Sequence, residues 1–307
     1  MRASASAGLP PLERAGLELE GLLEVAVQAA EMAGGLLLER AQCGAELKVS
    51  SKSTPTDLVS EADLAAEQAI RELLASKRPE DGFLGEEGGT HEGSSGLEWV
   101  VDPLDGTVNF LFGIPQWCVS VAVRDAAGTL AGAIYDPNRG ELFTALKGGL
   151  AWMSSGVGKV ELHGRAGDPG TGAGGNPGAS GAGGDPESLS GAPAADELAQ
   201  AMVATGLAYD AEVRAAQAQV LARLAPKVRD VRRFGSAALD LAWTAAGRYD
   251  AYFERTVKAW DIAAGVLICE CAGLRVLELE EAKNLPWGVL AARRELAETL
   301  HELVAGC

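Results

Sequence analysis

Two carboxylates three residues apart, Asp102 and Asp105, stand in the string Val101-Asp102-Pro103-Leu104-Asp105-Gly106-Thr107-Val108-Asn109-Phe110, directly after the apolar run Trp99-Val100-Val101. The apolar run predicts a buried strand. Pro103 stiffens the backbone between the acids, and Gly106-Thr107 marks a helix start. Carboxylates held rigidly at a strand end cannot both stay charged and close unless cations neutralise them. Backbone N–H groups just beyond them are a ready anion site. Together these features point to a phosphate gripped by hard metal ions, although an Asx-rich turn after a strand fits the same string.

Other acids sit where chemistry or structure could use them. Glu86 and Glu87 occupy a Gly-rich turn, residues 85–89, behind the short apolar strand 82–84; such a turn is also a plain solvated feature. Asp261, in Trp260-Asp261-Ile262-Ala263-Ala264-Gly265, lies at the mouth of an apolar helix, a usual N-cap position. Asp63 closes the capping-box string Ser60-Glu61-Ala62-Asp63. Glu254 follows a predicted strand. His91, His163 and His301 are scattered, and the cysteines lack zinc-like spacing, so oxygen donors are left to hold any metal.

The string from Asp102 to Phe110 resembles the Asp-Pro-hydrophobic-Asp-Gly-Thr-x-Asn-Phe motif of the inositol monophosphatase family. The haloacid-dehalogenase signature, an apolar strand followed by Asp-x-Asp-Gly-Thr, is a competitor that separates its acids by one residue rather than two. The first family also has an upstream Lys-x-x-Pro-x-Asp-hydrophobic-Val-Thr/Ser-x-x-Asp segment, a Gly-Glu-Glu turn and a Trp-Asp-x-Ala-Ala-Gly helix start. Residues 52–63, 85–87 and 260–265 match them in that order. The likeness runs from Leu17 to the C-terminus outside the Gly-rich stretch, and residues 111–115 and 235–240 are similar to actinobacterial-type members.

The resemblance implies a layered αβαβα sugar-phosphatase-like fold in the Mg²⁺-dependent, lithium-sensitive phosphatase superfamily. It implies that Glu86, Asp102 and the Leu104 carbonyl hold one Mg²⁺ and that Asp102, Asp105 and Asp261 hold a second. Glu86 would also reach a weakly bound third ion through water. Asp63 and Thr107 would orient and deprotonate the attacking water, with Glu86 part of the same catalytic set. Gly106 and Thr107 N–H groups would cradle the phosphate. Asp105, Ala237 and Glu254 would contact the leaving alcohol, beside Asp261. The implied reaction is hydrolysis of inositol monophosphate by metal-activated water in a homodimer. Histidinol phosphate, fructose 1,6-bisphosphate and 3′-phosphoadenosine nucleotides are alternative substrates, and a non-catalytic regulator that kept the fold is a third reading.

The chain as a whole sets bounds on these readings. Its 307 residues allow one large or two small domains with a full core. The net charge of −17 argues against nucleic acid or anionic membrane as a partner, since phosphate surfaces demand a basic face. It suits a site that collects divalent cations for a small phosphorylated substrate. Five cysteines, an odd number, read as reduced thiols in a cytoplasmic protein. No apolar run reaches transmembrane length by inspection. Residues 1–16 read as a disordered leader without a signal-peptide core.

The elements that must position the acids follow from periodicity. Residues 17–40 and 60–75 predict helices, and residues 116–162 an antiparallel meander with Val119, Val121 and Val123 on one face. Residues 164–195 are Gly/Ala/Pro-rich and read as a flexible insertion. Beyond it the chain predicts strand 201–205, helix 211–224, strand 228–232, helix 236–246, strand 249–253, helix 262–272, strands 274–278 and 288–291, and a helix from 294. The expected organisation is an α+β half, residues 17–163, carrying the metal site, and an α/β half, residues 196–307.

Overall fold

A computed structural model describes residues 11–43, 49–51, 58–164 and 194–306. The start of the expected leader, most of the expected insertion, and Lys52 with its neighbours through Asp57 lie outside the described residues. Helix α1 (Pro11–Cys43) opens within the stretch read as leader. At the edges of the expected insertion, the Gly164 N–H donates to Ala245 O (3.0 Å), and helix α4 (Ala194–Gln200) begins.

Strands β1 (Val49–Ser51) and β2 (Leu58–Ser60) form a small antiparallel ribbon that leads into α2 (Glu61–Lys77). The capping box is present: the Ser60 side chain accepts from the Ala62 N–H, and Asp63 Oδ2 accepts from the Ser60 N–H (2.9 Å). Next come β3 (Gly82–Gly85), β4 (Gly89–His91), β5 (Glu98–Asp105) and the short helix α3 (Thr107–Leu111). The meander consists of β6 (Cys118–Asp125), β7 (Gly128–Asp136), β8 (Glu141–Leu146), β9 (Ala151–Ser155) and β10 (Gly158–Leu162). These strands build one eight-stranded sheet in the order β10-β9-β8-β7-β6-β5-β3-β4, antiparallel except for β3 beside β5.

The second sheet, ordered β12-β11-β13-β15-β14, is made of β11 (Met202–Thr205), β12 (Asp230–Arg232), β13 (Ala251–Arg255), β14 (Arg275–Leu279) and β15 (Gly288–Ala292). Its helices are α5 (Ala211–Leu224), α6 (Ala237–Ala245), α7 (Ala259–Cys271) and α8 (Arg294–Val304).

The layers follow from which faces are apolar. Trp99, Val101, Val119, Val121 and Val123 face α1 and α2, each buried valine contributing roughly 1.5–3 kcal/mol. Helices α6 and α7 lie between the two sheets, and α5 and α8 cover the far face of the second sheet, giving the αβαβα order. Helix α1 corrects one expectation: from Glu18 to Cys43 it is long and apolar enough to cross a membrane. Its apolar stripe of Leu22, Ala26, Ala29, Ala30, Ala33 and Leu37 is instead buried against α2 and the first sheet. It lies so close to β7 that a Cβ on Gly34 would sit 2.5 Å from the Tyr135 ring.

Contact in the middle layer is equally tight. A Cβ on Gly265 would meet Leu241 at 2.7 Å, and one on Gly132 would meet the Ala264 backbone at 2.9 Å. On the outer face of β13, Arg255 is 2% exposed. Its guanidinium donates to the carbonyls of Glu280 (2.9 Å), Pro286 (2.6 Å) and Ala305 (2.6 Å), tying the β14–β15 connection and the end of α8 to the strand that carries Glu254.

Candidate active site

Residues three apart on a regular strand point to opposite faces. Strand β5 avoids this because its pairing with β6 shifts register between Asp102 and Asp105. Val100 and Asp102 face the middle layer, and the break turns Asp105 the same way, against the start of α6. Asp102 Oδ1 accepts the Leu104 N–H (2.9 Å), which fixes the loop over Pro103. Gly106 then takes φ +101°, and a Cβ there would strike Gln116 O at 2.8 Å. Only glycine satisfies both demands.

Helix α2 brings Asp63 to this loop from 44 residues away in sequence. The Thr107 hydroxyl donates to Asp63 Oδ1 (2.8 Å) and also lies 3.1 Å from Leu104 O. Asp63 Oδ2 accepts from the Ser60 hydroxyl (2.5 Å) and N–H, so both carboxylate oxygens are held. Asn109 crosses to the second half of the chain: its amide donates to Gln116 O (2.7 Å) and Phe234 O (2.7 Å).

The remaining acids come from the middle layer and the second sheet. Asp105 Oδ2 accepts from the Ser236 hydroxyl (2.6 Å) and the Ala238 N–H (2.7 Å), at the positive end of α6. Asp261 Oδ2 accepts the Lys258 N–H (2.6 Å) at the start of α7. Glu254 Oε2 accepts from the Tyr252 hydroxyl (2.9 Å), and its carboxylate stands where a Cβ on Gly206 would be, at 1.9–2.0 Å. Glu86, Asp102, Leu104, Asp105, Gly106, Thr107, Ala237, Glu254 and Asp261 all line one cleft of about 410 Å³, and Asp63 touches it through Thr107.

The electrostatics of the cleft set it apart. Burial, then the charges of Glu86, Asp105 and Asp261, hold the Asp102 carboxyl well above the usual carboxylate range. Burial raises Asp105 to about 6 against its Ser236 and Ala238 hydrogen bonds. Burial, then Asp105, raises Asp261, and burial lifts Glu254 to about 7 against the Tyr252 bond. Hydrogen bonds engage Oδ1 of Asp102, Oδ2 of Asp105 and Oδ2 of Asp261.

As the side chains stand, no three described His, Cys, Asp or Glu side chains converge on a common metal position. The donor set is nonetheless one a hard divalent cation would take: carboxylates and a carbonyl, and no imidazole. Cys118, the thiol behind Asp105 (3.9 Å), is buried and pushed further toward its protonated form by burial.

Sequence reasoning passed over several cleft residues. Arg233, Tyr209 and Thr256 line it; Lys258, which by resemblance stands at a variable position of the substrate rim, lines it too. Gly235 stands beside Arg233 at φ +85°, and a Cβ there would lie 2.6 Å from the guanidinium. Asp240, on the first turn of α6, is buried beside the Tyr249 hydroxyl; burial, then Glu254 and Asp105, raises its pKa. Its position reads locally as an ordinary helix acid, so no sequence signal gave its burial away.

Comparison with known proteins agrees with this architecture. The profile described as the Inositol monophosphatase family matches residues 18–306. An inositol-1-monophosphatase of Mycobacterium bovis is 41% identical over 234 residues, covering 75% of this chain and 71% of that protein. A Pasteurella multocida protein named Nus factor SuhB is 36% identical over 92% of this chain and 95% of its own length. The crystal structure of extragenic suppressor protein SuhB from Bartonella henselae superposes with a TM-score of 0.75 at 32% identity, covering 92% of this chain and 98% of that one.

Proposed function

The chain belongs to the inositol monophosphatase family of phosphoric monoester hydrolases, and from that membership we propose that it is a Mg²⁺-dependent phosphomonoesterase that releases phosphate from inositol monophosphate. The observation that carries the reading is the 2.8 Å contact between Thr107 and Asp63, which joins α2 to the start of α3, just beyond the paired acids. Glu86, Asp102, the Leu104 carbonyl, Asp105 and Asp261 are the groups that would hold Mg²⁺. When bound, the metal supplies Lewis-acid charge for phosphoryl oxygens and an acidified water.

The chain's own residues do the rest. Ser60 fixes Asp63 so that Oδ1 can take a proton passed through the Thr107 hydroxyl from an attacking water. The Gly106 and Thr107 N–H groups receive the phosphate. Asp105, Ala237 and Glu254 receive the leaving alcohol. Family membership favours a neutral polyol at this end; the acids that line the cleft beside Arg233 and Lys258 would hold an ammonium group as well. One relative is named as a Nus factor, and the acid set kept in this chain supports catalysis. The same reading has a small phosphorylated substrate, a homodimer and a cytoplasmic setting.

Phosphate release should be measured from inositol 1-phosphate, histidinol phosphate, fructose 1,6-bisphosphate and a 3′-phosphoadenosine nucleotide, with Mg²⁺ and with chelator. Inositol phosphate is expected to give the highest kcat/KM, with turnover only in Mg²⁺. Metal-independent release, or no release from any substrate, would count against the proposal.

A further inference from the structure

Helix α2 serves the site twice. Its first turn sets Asp63 against Thr107. One turn on, Glu67 is only 3% exposed. Glu67 Oε2 accepts the Glu87 N–H (2.8 Å), and Oε1 accepts from Arg71 Nε (3.0 Å). Arg71 donates from Nη2 to Gly89 O (3.1 Å) and lays its guanidinium over the Phe83 ring, 4.0 Å from the centroid. The pair fills the inside of the turn that carries Glu86. A Cβ on Gly85 would meet Glu67 Oε2 at 2.4 Å, and one on Gly88 would meet Glu67 Oε1 and Arg71 Nη2 at 2.4 Å. The turn needs its glycines because a carboxylate and a guanidinium occupy the space side chains would take. The Glu86 N–H donates to Val101 O (3.2 Å) on β5, so the backbone is pinned on both sides of that residue.

We propose that Glu67, braced by Arg71, is a positioning residue that holds Glu86 at the cleft, so that one rigid helix sets the spacing between Glu86 and the Asp63–Thr107 pair. The proposal rests on the reading of Glu86 as a cation ligand. A carboxylate on a glycine-flanked turn would otherwise have many backbone states to give up on binding. Groups that orient a metal ligand typically govern about 10–100-fold in affinity.

The test is calorimetric titration of Mg²⁺ into the full chain without substrate, with Tm measured on each variant. Glu67→Ala is expected to weaken Mg²⁺ binding about tenfold or more. Glu67→Gln keeps an acceptor for the Glu87 N–H and is expected to fall between wild type and alanine. Arg71→Met removes the brace and is expected to weaken binding several-fold. Ile70→Val, a core change on the same helix, should lower Tm and leave Mg²⁺ affinity at the wild-type value. Wild-type affinity in folded Glu67→Ala overturns the proposal, as does equal weakening in Ile70→Val. If the alanine variant does not fold, wild-type affinity in both Glu67→Gln and Arg71→Met overturns it. Glu86→Gln separates the two layers of the argument. Unchanged affinity there defeats the ligand reading, whereas weak binding there beside a wild-type-like Glu67→Ala defeats only the positioning role.

Discussion

The two ends of the parallel pair β3 and β5 hold their acids in opposite ways. At the leading end, Asp81 accepts from Arg78 (2.8 Å) and from Trp99 Nε1 (2.9 Å), and Glu98 accepts from Arg124 at 2.6 and 2.8 Å. Burial pushes Asp81 upward, but hydrogen bonds from Arg78, Ser95 and Trp99 bring it below the usual carboxylate range. At the trailing end, Asp102 and Asp105 accept only neutral donors among the described residues, and both are pushed up. The acids that complete the fold come with their cations. Those at the carboxyl end, where ligand sites of parallel strands gather, have only neutral donors among the described residues, which fits the proposal that a cation from solution completes them.

The largest expected effect breaks the comparison at its trailing end. Asp105→Asn keeps the shape and removes a charge, and phosphate release at limiting Mg²⁺ should fall at least about a hundredfold. The metal-free variant should melt no lower than wild type, because repulsion is relieved. Asp81→Asn should do the reverse, costing about 1–3 kcal/mol of stability in a denaturant melt with little loss of turnover. Near-normal activity in Asp105→Asn, or a dead but stable Asp81→Asn, would erase the distinction.

A pH series sharpens it. Asp105 and Glu254 titrate near 6 and 7 in the folded protein, above their unfolded values near 3.8 and 4.5. Their stabilising contribution is therefore fully present below about pH 4 and lost as pH rises through the range from about 6 to 7. Asp81 runs the other way: its contribution is present above its unfolded value of 3.8 and lost as pH falls through its lower folded value. In chelator, Tm should decline between about pH 5 and 7, and saturating Mg²⁺ should flatten that decline. An unchanged decline in Mg²⁺ would mean that the cation does not meet these acids.

Smaller effects sit at the leaving-group side. Glu254→Ala should cost about 1–3 kcal/mol in kcat/KM. Glu254→Gln should spare a polyol phosphate, since an amide still accepts a hydrogen bond, and penalise an amine. A histidinol phosphate preference that collapses in Glu254→Gln would reverse the substrate assignment. Thr256, β-branched at φ +71° in the cleft wall, should yield the smallest change: Thr256→Gly is expected to raise stability by about 1 kcal/mol in a denaturant melt.

Local rules made much of the fold legible. Helix α5 spans the residues its periodicity assigns, and the Ser60–Asp63 capping box opens α2, because both depend on neighbours in sequence. Strands β1, β2 and β4 are three residues each, too short for alternation to show. In the site, motif residues from four separate stretches meet at one cleft, whereas Glu67 was hidden. Its i,i+4 spacing with Arg71 looks like a solvated surface pair, and only the approach of the β3–β4 turn buries it. Arg233 and Asp240 were hidden for the same reason, since burial and cleft exposure come from the other sheet and layer.

Arg255 gives the molecule an order of assembly. A buried guanidinium with carbonyl partners on the β14–β15 connection and at Ala305 finds its surroundings only when those segments exist. On the ribosome, every acid of the cleft emerges before them. Strand β13, with Glu254 on one face and Arg255 on the other, must keep that charge in water until β15 pairs beside it and α8 closes over it. The nascent chain thus carries every acid of the cleft before it can bury the guanidinium behind Glu254. A message cut short before residue 305 yields a chain without the Ala305 carbonyl that receives Arg255.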